Sequence, residues 1–131
     1  MTISTLLYQP TQSKQIWGQL HGSSLPLALA EYCQQTPGIK LLIAPDNLSA
    51  NQLQAELEFF LDSEHHPQEL LFFPDWETLP YDQFSPHQDI ISERLYTLSR
   101  IQQVSDAIII TSASTLMHRL CPPEFLNQYA L

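Results

Sequence analysis

The turn His21-Gly22-Ser23-Ser24-Leu25-Pro26 stands between a short strand pattern and a helix pattern. In α/β proteins that is the place where a phosphate group is held against a helix N-terminus. The chemistry of the turn does not suit that task. Leu25 stands where a lysine would reach the β- and γ-phosphates, and Pro26 where a hydroxyl would ligate magnesium. Without both, a nucleotide loses its charge-assisted contacts. No Gly-Lys pair occurs in the chain, and its three glycines, Gly18, Gly22 and Gly38, do not form the cluster a dinucleotide fingerprint requires.

A second group of reactive side chains lies in the segment from Phe73 to Asp89. Asp75, Glu77, Asp82 and Asp89 are of the type that does acid–base work or binds metal, and His87 stands two residues before Asp89. No spacing among them matches a metal-ligand pattern, so packing or an interface is the expected use. Phe73, Trp76, Tyr81 and Phe84 place four aromatic residues within twelve, which suits a loop that packs on a sheet edge or meets another domain. Trp76, Leu79, Tyr81, Phe84, His87 and Arg94 are the candidate interface residues. His65-His66 before Pro67 reads as a solvated loop. Glu56, Glu58, Asp62, Glu64 and Glu69 read as a solvated acidic face, with a basic partner surface as the alternative. His21, His87 and His118 lie near serines, but no serine–histidine–acid arrangement is indicated.

The elements that must position these residues alternate between two periodicities. Ile16, Gly18 and Leu20 alternate as in a short strand. Leu41 to Ala44, Leu70 to Phe73 and Ala107 to Ile110 are continuous apolar runs, as in strands buried on both faces. Between them, Leu25 to Cys33 reads as a helix with Pro26 in its first turn. A second helix opens after Pro45-Asp46-Asn47 and sets Ala50, Leu53, Leu57, Phe60 and Leu61 on one face. A third runs from about Asp89 to Gln102, with Ile91, Leu95, Leu98 and Ile101 or Gln102 on successive turns. Ser112 or Ser114 caps a short helix through Leu120, which Cys121-Pro122-Pro123 ends. Tyr129-Ala130-Leu131 looks like the start of a further strand, as if the chain were cut from something longer. The expected architecture is α/β, a mostly parallel sheet of about four strands flanked by helices, with right-handed crossovers.

Composition narrows the function. The chain has 131 residues, 44% of them hydrophobic, and a formal charge of −9. It is long enough for one domain with an ordinary core. The acidic balance disfavours tight contact with nucleic acid or an anionic membrane. No apolar run reaches the length of a membrane span, and residues 1–14 lack the pattern of a secretory signal. Cys33 and Cys121, far apart, then read as reduced thiols in a cytoplasmic protein.

Asp75-Trp76-Glu77-Thr78-Leu79-Pro80-Tyr81-Asp82, followed by Phe84-Ser85-Pro86-His87-Gln88-Asp89-Ile90-Ile91-Ser92 and Arg94-Leu95, closely resembles the bacterial transcription-repair coupling factor family. Leu42-Ile43-Ala44-Pro45-Asp46 is similar to that family's second strand. Thr115-Leu116-Met117-His118-Arg119-Leu120-Cys121-Pro122 is similar to its segment after the fourth strand. The resemblance covers most of residues 15–131 and leaves 1–14 as an N-terminal extension. It implies the first subdomain of the N-terminal part, a P-loop-NTPase- or helicase-like fold similar to the first domain of the excision-repair protein UvrB.

The family's members are large ATP-driven DNA translocases that remove RNA polymerase stalled at lesions and recruit UvrA. The resemblance therefore implies a non-catalytic scaffold in the UvrA-recruiting module. Its Gly22, Ser23, Ser24, Leu25 and Pro26 would be a vestigial phosphate loop, without the aromatic damage-verification hairpin of UvrB. ATP and magnesium would belong to motor domains outside this chain, as would contacts with RNA polymerase and DNA. The expected partners are the adjacent subdomains, and UvrA through the larger module. Two rival readings are a divergent nucleotide-binding hydrolase domain and a free-standing acidic interaction module.

Overall fold

The computed structural model describes residues 14–61, 68–78 and 81–129. The elements run α1 (Ser24–Gln35), β1 (Ile39–Ala44), α2 (Asn47–Phe60), β2 (Glu69–Phe72), α3 (Gln88–Ile101), β3 (Ala107–Ser112), α4 (Ala113–Leu116) and α5 (Pro123–Tyr129). The three strands form one parallel sheet in the order β1-β3-β2, so β3 is central and the α/β layering follows the expectation. The central place of β3 explains its sequence. All six of its residues are buried, and an apolar run with two terminal hydroxyls is what a strand covered on both faces requires.

The two faces are unequally covered. On one, Ile108 and Ile110 of β3 meet Ala44 of β1, Ala50 and Leu57 of α2, and Ala30 and Cys33 of α1. Small residues on the helices let α2 lie close to the sheet and α1 close to α2. On the other face Leu71, Ala107 and Ile109 pack with Ile101 and Val104 at the end of α3. That helix covers β2 and β3 but stops short of β1. Ile39, Leu41 and Ile43, which share a face with Ala107, Ile109 and Thr111, are about half exposed.

Helix starts follow local chemistry. The Asp46 carboxylate accepts from the Ser49 amide at 2.7 Å and caps α2. Ser112 ends β3 and caps α4, its Oγ accepting from the Thr115 amide at 3.3 Å. The Cys33 thiol is pushed up to about 11 by burial, as fits an unreactive core cysteine.

Four expectations are corrected. The described residues hold three strands, and Ile16–Leu20 is not a fourth. Gln19 adopts a left-handed backbone (φ 59), which breaks the extended run, and Ile16 is 86% exposed. Trp17 instead holds this segment by an edge contact with Tyr32 of α1. The short helix after β3 ends at Leu116 rather than Leu120. Tyr129 closes a further helix, α5, whose first residue is Pro123, a position where the missing amide costs nothing. The core side of α3 is rotated from the expected one: Arg94 and Thr97 are buried and Leu95 is exposed. Residues 1–13 of the extension 1–14, Asp62 and Glu64 of the acidic cluster, the His65-His66 pair and Ala130-Leu131 lie outside the described residues.

At the other end of the sheet Lys40 Nζ donates to Asp106 at 2.8 Å, and Gln68 joins Asp106 to the Cys33 carbonyl. Lys40 holds the Asp106 carboxyl below its ordinary value, and Arg100 does the same for Glu69. A depressed carboxylate stabilises the fold above its unfolded pKa of about 4, and that contribution is lost as pH falls through the lower folded value. Stability should therefore hold from neutral pH to about 4 and decline below it. Urea melts against pH should show that decline flattened in Asp106→Asn.

Candidate functional site

Parallel strands deliver the residues that follow them to one end of the sheet, where α/β proteins build their sites. Here β1 delivers Asp46 and Asn47, β2 delivers Pro74, Asp75 and Trp76, and β3 delivers Ser112, Ser114 and Thr115. Their side chains form one polar network. Asn47 Nδ2 donates to Asp75 Oδ2 at 2.9 Å, and Ser112 Oγ donates to Asn47 Oδ1. The Ser112 and Thr115 hydroxyls are 2.7 Å apart, and Thr115 Oγ1 reaches Asp75 Oδ1 at 3.4 Å. His118 Nδ1 lies 3.4 Å from the same oxygen, within ion-pair reach but without hydrogen-bond geometry. Asp75 is thus fastened by Asn47 and Thr115 at the base of the loop that follows it.

Beneath that loop the backbone leaves the sheet at its β2 edge, and three successive carbonyls are each met by a side chain. Thr97 Oγ1 donates to the Phe72 carbonyl at 2.8 Å, Thr111 Oγ1 to that of Phe73 at 3.1 Å, and Arg94 Nη1 to that of Pro74 at 2.6 Å. Arg94 and Thr97 are three apart on α3, so one helix face serves two of the three carbonyls. The guanidinium carbon of Arg94 sits 4.2 Å from the Phe73 ring centroid and 4.0 Å from that of Trp76. It is a buried cation (3% exposed) held between two aromatic faces. Burial pulls its pKa down, and the nearby Asp75 charge opposes that shift.

Above this base the loop opens outwards. Tyr81 is fully exposed and Phe84 is 76% exposed. With Trp76, Pro86, Met117 and Arg119 they line a groove of about 790 Å³. Glu77 (φ 58) and Tyr81 (φ 75) both hold left-handed backbone, which costs a non-glycine residue about 1 kcal/mol or more. His87 is exposed and caps α3, its Nδ1 accepting from the Asp89 amide at 3.3 Å. Of the candidate interface residues, then, Trp76, Tyr81 and Phe84 share the groove, His87 stands at the start of α3, and Arg94 lies buried below. Leu79 is outside the described residues. The sequence marks Ser112 as a helix cap and His118 as a histidine near serines, but Asn47, Ser112, Thr115 and His118 are not among its candidate site residues. Their signal was position: polar residues close behind the first and third apolar runs.

The turn His21 to Pro26 sits elsewhere. Gly22 is left-handed (φ 57), Ser24 Oγ donates to the His21 carbonyl at 2.6 Å, and Ser23 makes no side-chain cap bond to α1. Pro26 is buried in the first turn, while Leu25 is exposed beside a cleft of about 410 Å³ bounded by Leu29, Leu41 and Ile43. The lining nearest the helix start is apolar, so it offers a phosphate few partners. Among the described residues no group of three or more His, Cys, Asp or Glu converges as a metal site would, and no helix is long and apolar enough to cross a membrane.

Two substitutions test the base of the loop. Arg94→Lys keeps the charge but loses the planar stacking and should cost about 2 kcal/mol in urea melts; a cost near zero would show that the sandwich does not hold the loop. Glu77→Gly relieves a left-handed residue and should raise stability by about 0.5–1 kcal/mol in thermal melts, whereas Glu77→Val should lower it.

No family model matches the chain. Comparison with curated proteins gives a consistent answer. The chain is 42% identical to the transcription-repair-coupling factor of Haemophilus influenzae over 94% of its own length, and 42% identical to that of Escherichia coli over 90%. It is 35% identical to that of Rickettsia bellii over 70%. It spans only about a tenth of the length of these relatives, 10%, 10% and 8% respectively. An apolar parallel sheet, a loop anchored by Asp75 and Arg94, and identity extending through nearly the whole chain lead to one assignment: the chain belongs to the transcription-repair coupling factor family, as the counterpart of a short segment of its members.

Proposed function

We propose that the chain is the N-terminal, UvrB-like subdomain of a coupling factor that displaces lesion-stalled RNA polymerase and recruits UvrA, and that this subdomain is a scaffold without catalysis of its own. One observation carries the scaffold reading. The start of α1, where a helicase fold holds nucleotide, presents an exposed Leu25 and a buried Pro26 in place of a lysine and a hydroxyl. A phosphate there would meet amides but no cation, and magnesium would meet no hydroxyl. The residues that elsewhere hold the phosphates here fix the first turn of a structural helix.

The polar network and aromatic loop at the strand ends fit the complementary role. In this reading they present the 76–86 face to neighbouring protein, either an adjacent subdomain or a partner held by the larger module. ATP-driven translocation, and contact with DNA and polymerase, belong to other parts of the longer protein. The acidic charge of −9 agrees with a piece that meets protein rather than phosphate backbone.

Isothermal titration with ATP and magnesium, together with a phosphate-release assay, tests the scaffold reading. The 131-residue chain should bind no ATP at millimolar concentration and hydrolyse none. Micromolar affinity that disappears in Ser23→Ala or Ser24→Ala would contradict it and favour a divergent nucleotide hydrolase.

A further inference from the structure

We propose that the groove between residues 76–78 and 81–86 on one side and 117–119 on the other docks a basic protein segment that carries an apolar anchor. This rests on the reading of that face as an interface and adds the chemistry of the partner. Three observations carry it. The first is composition: Tyr81, Phe84 and Met117 are 105%, 76% and 85% exposed around one depression. Aromatic residues and methionine are the side chains enriched at the centres of interfaces, and a contiguous exposed set of them marks a binding surface.

The second is charge. Glu77, Asp82 and Asp89 are all exposed on the loop and at the start of α3. Arg119, across the groove, is the exposed cation among the lining residues. A guanidinium or ammonium group entering beside Asp82 gains its carboxylate and the faces of Tyr81 and Phe84 together. An acidic peptide or a nucleic acid meets the Asp82 carboxylate in the lining, Glu77 on the same loop, and a chain of charge −9. The third is rigidity at the base. Asp75 is tied to Asn47 and Thr115, and one face of Trp76 is taken by Arg94, so the wall of the groove is set before anything binds.

Selection of a phage-displayed random dodecapeptide library on the 131-residue chain, followed by titration of the synthetic winners, tests the proposal. The expected consensus pairs Arg or Lys with a neighbouring Leu, Ile or aromatic residue. Phe84→Ala should weaken such a peptide about tenfold, and Asp82→Asn should weaken it less while reducing its salt dependence. Both positions are exposed, and circular dichroism checks that each variant is folded. Amide chemical shifts in the wild-type chain give a reading that needs no variant; they should move around Tyr81, Phe84 and Arg119. An acidic consensus, no enrichment, or shifts centred elsewhere would overturn the proposal. Acidic peptides bound in the groove would refute only the partner's chemistry, whereas peptides that avoid the groove would also refute the interface reading.

Discussion

A buried cation organises the functional end of this molecule. Where β2 leaves the sheet, the successive carbonyls of Phe72, Phe73 and Pro74 all take their hydrogen bonds from side chains. An unpaired buried carbonyl costs roughly 1–3 kcal/mol, so the turn persists only if something donates to each. Thr97 and Thr111 serve the first two, and Arg94 serves the third. Arg94 in turn is tolerable in the interior because Phe73 and Trp76 cover its two faces and Asp75 supplies a nearby negative charge. The same side chain therefore satisfies the backbone, orients Trp76 and fixes where the loop begins.

From that point the rest of the strand-end architecture follows. With Asp75 placed, Asn47 and Thr115 can meet it, and through them β1, β2 and β3 are linked by side chains as well as by the sheet ladder. The loop above is free to present aromatic residues because its base is held from below and from both sides. The start of α1 follows a different logic: a buried proline stiffens its first turn and an exposed leucine lines an apolar cleft, while the polar side chains gather at the ends of the strands.

Much of the fold was legible from period and punctuation. Continuous apolar runs identified β1, β2 and β3, and the Ala50, Leu53, Leu57 spacing gave the buried face of α2. Ile16 to Leu20 misled because its alternation of apolar and other residues imitates a strand; the left-handed Gln19 within it is a backbone fact no side-chain pattern carries. The rotation of α3 misled for a physical reason. Apolar periodicity favoured Leu95, but the carbonyls of β2's exit require donors, so Arg94 and Thr97 take the core side and Leu95 is left exposed. The polar network was the hardest feature to see, because Asn47, Asp75, Ser112 and Thr115 are far apart in sequence and only a parallel sheet brings them together. Resemblance found the loop's importance without its mechanism; Trp76 and Arg94 were named together there, and the structure shows one stacked on the other.

In this segment of the coupling factor family, the loop after β2 is held in place by the buried Arg94, set against the rings of Phe73 and Trp76. Nuclear magnetic resonance of the Arg94 side chain measures that directly. The account predicts guanidinium protons that exchange slowly with water, are shifted upfield by the two rings, and show through-space contacts to both Phe73 and Trp76. Rapid exchange at the chemical shift of an exposed arginine, with no contact to either ring, would contradict it.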